Sequence, residues 1–165
     1  MAITINGSTG ISGVPAGGYN LVDGDMPSGA VLQVVHATVT SEISTTSTSW
    51  TASGLSLSIT PSSASSKIFV SVSGFGGGTG GSGYWPGYGI FRDSTELTAT
   101  AIMKNSATIV MDVPLSLSYL DSPATTSATT YQVYIRSEGG SQTARIGTGS
   151  FVGGEAHITA MEIAG

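Results

Sequence analysis

The sequence predicts an all-β chain: an antiparallel β-sandwich, jelly-roll-like, preceded by an extended N-terminal arm. Three observations carry that expectation. Charged residues make up only 9% of the chain, far below the usual quarter, so the Glu- and Lys-rich faces of surface helices have no source. Serine and threonine take their place, 26 and 21 of the 165 residues, beside the Val, Ile and Tyr that suit a sheet surface. Finally, apolar and polar residues alternate with period two in most segments between turn signals. The hydrophobic share of 39% argues against disorder, which pairs low hydrophobicity with high charge.

Residues 1–28 form the expected arm and 29–165 the sandwich, since 165 residues fit one domain. In the arm, INGSTG and ISGVPAG read as a loose repeat of an isoleucine followed by turn formers. Its glycines and Pro15 exclude a helix, and Ile3 to Asn6 can form a short strand. Ordering such a segment costs roughly 1–2 kcal/mol per residue, which a few isoleucines do not offset. It is therefore a loose tail, or an arm that orders against another chain through Ile3, Ile5, Ile11 and Val14.

The strands follow in order. AVLQVVHATV (30–39) alternates, and in WTASGLSLSIT Leu55, Leu57 and Ile59 alternate with Ser56, Ser58 and Thr60. PSSASS is a polar turn. In KIFVSVSGF (67–75), Ile68, Val70 and Val72 share one face, and Phe69, Ser71 and Ser73 the other. GGGTGGSGYWPGYG reads as a long mobile loop. YGIFRD and ELTATAIM can pair across a turn at Asp93 and Ser94. TIVMDVPLSLSYL (108–120) holds one strand or two, with Pro114 as a bulge or edge signal. TYQVYIRSE (130–138) alternates, QTARIG is short, and AHITAMEI (156–163) closes the chain. Eight to ten short strands with one polar face each point to sheets packed on one side.

Composition narrows the function. Net charge is −5, and the five basic residues, Lys67, Arg92, Lys104, Arg136 and Arg145, are scattered. Phosphate binding needs a concentrated positive field, so neither nucleic acid nor an anionic membrane is an expected partner. The absence of cysteine removes disulfides, thiolate metal sites and thiol nucleophiles. The opening residues lack the basic-then-apolar pattern of a secretory signal, and no apolar run approaches the roughly 20 residues of a membrane helix.

Little reactive chemistry is visible, and the chain is expected to be no enzyme and to need no cofactor or metal. His36 and His157 lie in strands without a helical i, i+4 partner. They can meet if the first and last strands pair, and they read as sheet histidines rather than a metal site. Asp23-Gly24-Asp25 begins like a calcium loop but lacks the later ligands. No Ser lies in G-x-S-x-G, and the glycine-rich stretch lacks the GK[ST] ending of a phosphate cradle. One feature stands out. Tyr84, Trp85 and Tyr88 sit together beside Pro86 and Gly87. They can stack on a sugar ring, pack against a neighbouring subunit, or fold back onto their own core.

MAITINGSTGISGVPAG resembles the starts of small structural and fibre-like proteins of tailed bacteriophages, cyanophages among them. SGAVLQVVHATVTSEISTTSTSWTASGLSLSITPSSASSKIFVSVSG is similar to a recurring module of those proteins, and ITAMEIAG to its terminal strand. The resemblance implies a β-sandwich, a homotrimer, on the outer surface of a phage particle. It implies a capsid-decorating (cement) protein that stabilises the shell beside other virion proteins, such as the major capsid protein. The alternative is a head-fibre or tail-fibre module that touches host surface glycans through Tyr84–Tyr88. A complete fibre needs a shaft, and no coiled-coil heptads are present.

Overall fold

The computed structural model describes residues 4–6, 10–12, 26–79, 85–102, 111–139, 142–147 and 154–165. Every regular element among them is a strand. Two short ones, β1 (Thr4–Asn6) and β2 (Gly10–Ser12), pair antiparallel with Ile5 opposite Ile11. The sandwich is built from β3 (Val31–Val39), β4 (Ile43–Thr45), β5 (Thr51–Ile59), β6 (Lys67–Thr79), β7 (Gly87–Arg92), β8 (Thr95–Ala101), β9 (Met111–Asp121), β10 (Thr129–Arg136), β11 (Thr143–Ile146) and β12 (Ala156–Ile163).

One sheet runs β5-β10-β7-β8. In the other, β6 carries β9 along one side and, end to end on the other side, β12 and β11. Beyond β12 lies β3, and beyond β11 lies β4. With β4 and β11 set aside, eight strands remain, and their pairs are first with last (β3, β12), second with seventh (β5, β10), third with sixth (β6, β9) and fourth with fifth (β7, β8). This is one long hairpin rolled into two sheets, the strand order of a jelly roll. The expected sandwich is therefore present, and its topology is jelly-roll.

Alternation places the core. Leu55, Leu57 and Ile59, Ile68, Val70 and Val72, Leu115 and Leu117, Tyr131, Val133 and Ile135, and Ile158 are all buried between the sheets. These residues alternate along their strands, as the pleat dictates. At roughly 1.5–3 kcal/mol per fully buried large apolar side chain, this shared layer is the main source of stability.

The glycine-rich stretch corrects one expectation. Residues 76–79 belong to β6 and 87–89 to β7, Trp85 and Pro86 lead into β7, and 80–84 lie outside the described residues. Glycine normally marks a break, but here it makes room. A Cβ on Gly76 would lie 2.9 Å from Cζ of Tyr88. Gly77 stands between Arg145 and Asp112 in register, and with no side chain there Arg145 reaches across β6 to Asp112 at 2.6 Å. β4, in the polar run SEIST, has no counterpart in the sequence reading. Pro114 sits within a single β9, an edge strand of its sheet, in keeping with the edge signal.

Buried polar groups rivet the two sheets at their ends. Arg92 on β7 holds Asp121 on β9 through both carboxylate oxygens at 2.8 Å. The Tyr131 hydroxyl donates to the same carboxylate at 2.6 Å. Burial, and then that hydrogen bond, push the Tyr131 phenol well above its ordinary value, so it stays a donor. The Tyr88 hydroxyl lies 2.8 Å from the Gly77 carbonyl and 3.0 Å from that of Arg145.

Candidate functional site

The two outer faces of the sandwich differ, and each carries a feature that the core does not require. On the larger sheet, register brings apolar residues from four strands into one line. Val34 on β3 pairs with Met161 on β12, Met161 with Phe69 on β6, and Phe69 with Leu120 on β9. The line crosses from one edge to the other. Its ends are exposed, Val34 at 56% and Leu120 at 50%, and Val31 beside it is at 51%. Ile163 pairs with Val31 and continues the band. Phe69 and Met161, between the exposed ends, are half-buried.

Past this band the same face turns polar. The next cross-strand rows are His36, Thr159, Ser71 and Ser118, then Thr38, His157, Ser73 and Ser116. His36 and His157 do meet, as pairing of the first and last strands requires. Their rings stack with centroids 5.4 Å apart. Thr38 Oγ1 lies 3.0 Å from His36 Nε2 and 3.0 Å from His157 Nδ1, and Thr159 Oγ1 lies 3.0 Å from His36 Nδ1. Glu155 stands 3.7 Å from His157 Nε2. Among the described residues no group of three His, Cys, Asp or Glu side chains can hold a metal ion. The pair is a hydroxyl-linked part of the surface.

The smaller sheet carries a groove of about 480 Å³ on its outer face, lined among others by Trp50, Trp85, Gly87, Ala101, Arg136 and Glu138. The sequence builds it in steps. The run STTSTSW folds onto itself: Ser47 Oγ donates to the Ser49 carbonyl at 3.0 Å and accepts from the Ser49 N–H at 3.1 Å. Such local bonds are what Ser-rich turns offer the backbone. The turn delivers Trp50 across the sheet. Its indole N–H donates to Glu96 at 2.9 Å, and its ring meets Phe91 edge-on at 5.6 Å. Gly87 and Gly89 form the floor beneath it, where a Cβ would lie 3.3 and 3.4 Å from the ring. The Arg136 guanidinium stacks on the Trp50 ring at 4.6 Å, a cation–π contact.

Of the residues read as a candidate loop, Trp85 and Tyr88 separate. Trp85 is 41% exposed at the groove rim. Tyr88 is fully buried in β7, so it belongs to the core, and the exposed-loop reading does not hold for it. Alternation explains this, because Tyr88 is in phase with the inward-facing Ile90. Tyr84, Ile3, Val14 and Asp23-Gly24-Asp25 lie outside the described residues. Ile5 and Ile11 lie in β1 and β2. The sequence reading missed Trp50 and Arg136, whose signals are a lone tryptophan after a Ser/Thr turn and an arginine in phase with the outward Tyr134.

No protein-family model matches the chain, and no curated protein matches it in sequence. Among solved structures it is similar to dimeric latent PorU from Porphyromonas gingivalis, with a TM-score of 0.42 and 7% identity over 84% of this chain and 14% of that one. It is also similar to the VP2 subviral particle of infectious bursal disease virus, with a TM-score of 0.36 and 16% identity over 82% and 34% of the two chains. The Gx strain of that virus gives a TM-score of 0.38 and 15% identity over 80% and 37%. The chain spans between 14% and 37% of the lengths of these proteins.

Proposed function

We propose that the protein is a virion structural component of a tailed bacteriophage, a trimeric capsid-decorating protein that stabilises the shell by adding buried interface. The observation that carries this reading is the apolar line Val34–Met161–Phe69–Leu120, exposed at both ends on an otherwise hydroxyl-rich sheet. A lone domain gains nothing from it, whereas an assembly buries it. The resemblance of MAITINGSTGISGVPAG to phage structural proteins supports the same reading. So does the jelly-roll strand order, although that scaffold serves lectins as well as capsids and fixes no function alone.

In this reading the apolar band seats a neighbouring subunit, and residues 1–28 act as an arm that crosses to that neighbour through Ile3, Ile5, Ile11 and Val14. Folding of the arm then accompanies assembly. Any partner that binds only the assembled state stabilises that state by mass action.

Light scattering on the purified chain tests the proposal. The full chain is expected as a trimer, and Leu120→Asp with Val34→Asp as a monomer with unchanged circular dichroism. A full-length monomer, or a trimer indifferent to both substitutions, refutes the assembly reading. Loss of the trimer on deleting residues 1–28 supports the arm, and an intact trimer without them refutes it.

A further inference from the structure

The groove on the smaller sheet lies on the opposite face from the apolar band and does not depend on it. We infer that the groove binds a neutral saccharide, a pyranose ring seated against Trp85 with its hydroxyls held between Arg136 and Glu138.

The groove is held open by its own residues. Its floor has little bulk: Gly87, Ala99 and Ala101 line it, and a Cβ on Gly87 would lie 3.0 Å from Arg136. Its walls are fixed without a ligand. Ser137, fully buried, donates its N–H to the Ser47 carbonyl at 2.7 Å. Its hydroxyl lies 2.7 Å from the Gly139 carbonyl and 2.9 Å from that of Gln142. Pro86 is buried, and its carbonyl accepts from the Ile102 N–H at 3.1 Å, which sets Trp85 at the end of β8. A preformed cleft with aromatic walls and a few convergent polar groups is the usual form of a small-ligand site.

The chemistry of the ligand follows from the lining. An indole face exposed to water offers an apolar surface with a negative quadrupole, which suits the C–H face of a pyranose. The Arg136 guanidinium carbon lies over the Trp50 ring, and among the described residues no carboxylate pairs with it, so its N–H groups remain to donate. Glu138, exposed on the same wall, supplies an acceptor. Adjacent sugar hydroxyls both donate and accept, and need such a pair. One cation and one anion leave the lining without net charge, and the chain carries −5. Both disfavour an acidic sugar.

Saturation-transfer NMR, with intrinsic tryptophan fluorescence for affinity, tests this on the full chain. The probes are gluco-, galacto- and manno-tetraoses, with an oligohexuronate as the acidic arm. At least one neutral probe is expected to bind at millimolar concentration or better. Trp85→Ala is expected to weaken it by about tenfold or more, as is Ala101→Trp, which fills the groove while leaving Trp85 in place. Thermal melts confirm that both variants fold. No binding by any neutral probe overturns the inference. So does binding that both variants leave intact, or a preference for the oligohexuronate.

Discussion

Glu162 is a carboxylate in the core, and its removal tests how the sandwich is closed at one end. It is fully buried, in phase with Ile158 and Ala160 on β12. Ser62 meets its Oε1 twice, through the backbone N–H and the hydroxyl, each at 2.7 Å. Gln33 on β3 donates one amide hydrogen to its Oε2 and the other to the Thr60 carbonyl at 2.7 Å. The carboxylate thus ties the turn after β5 to both β3 and β12, directly behind Val34 and Met161. Glu162→Ala removes the acceptor of three charge-assisted hydrogen bonds, but Ser62 is exposed and its two donors reach water, so a loss of about 2–4 kcal/mol is expected. That is a large share of the roughly 5–15 kcal/mol that holds a domain together. Glu162→Gln keeps one acceptor but turns an NH₂ toward Gln33, for about 1.5–3 kcal/mol. Burial pushes the Glu162 carboxyl up, but the hydrogen bonds from Ser62 and Gln33 outweigh burial and hold it below the ordinary glutamate value. A carboxyl lowered by folding adds stability that is present above its unfolded value and lost as pH falls through its folded one. Urea denaturation from neutral to acid pH reads both effects. The gap between the parent chain and Glu162→Gln should be widest near neutrality and shrink below about pH 4.5. A Gln variant as stable as the parent, or a gap that does not change with pH, refutes the reasoning.

Three further outcomes follow from the packing. Gly76→Ala places a Cβ 2.9 Å from Tyr88 and 3.1 Å from Ile102, and is expected to cost about 1–3 kcal/mol by overpacking, seen as a lower thermal midpoint. Tyr131→Phe removes the 2.6 Å donor to Asp121 while Arg92 remains, for a loss of about 1.5–3 kcal/mol in urea; an unchanged midpoint would show that the hydroxyl does not secure the sheets. Ile158→Ala, at a fully buried site, should cost about 2–5 kcal/mol by the same measurement.

The strands were legible because the sheets are solvated on one side, so alternation survives in the sequence. AHITAMEI coincides with β12, and β3, β5 and β10 match the alternating runs to within a residue or two at each end. Alternation failed where it was absent. β4 carries one apolar residue, Ile43, among polar ones. The glycines of β6 hide a strand because their task is to leave space for Tyr88 and Arg145. Glu162 was visible as an acid in phase with core residues, but its partners Ser62 and Gln33 are 100 and 129 positions away. The groove was invisible for the same reason: Trp50, Trp85 and Arg136 become neighbours only through the order β5-β10-β7-β8.

The apolar band follows from the same register that makes the core. Its four members stand at positions 34, 161, 69 and 120, and each is out of phase with the inward-facing residues of its own strand, which are only partly buried on β3. Phe69 lies between the buried Ile68 and Val70, and Met161 between the buried Ala160 and Glu162. Shifting any one of these strands by a single residue exchanges its faces. The shift would bury the band residue, but it would expose the alternating core residues of that strand. At about 25 cal/mol per Å² of apolar area, two or three inward side chains outweigh one band residue. The core therefore locks the band on the outside, and no register slip can remove it. What remains is substitution to polar residues or cover by another chain. The neighbouring rows, all Ser, Thr and His at the same strands, show that this face accepts polar residues readily. An apolar line that runs unbroken across four strands beside such rows is what an assembling surface requires, which is why the assembly experiment separates the readings most sharply.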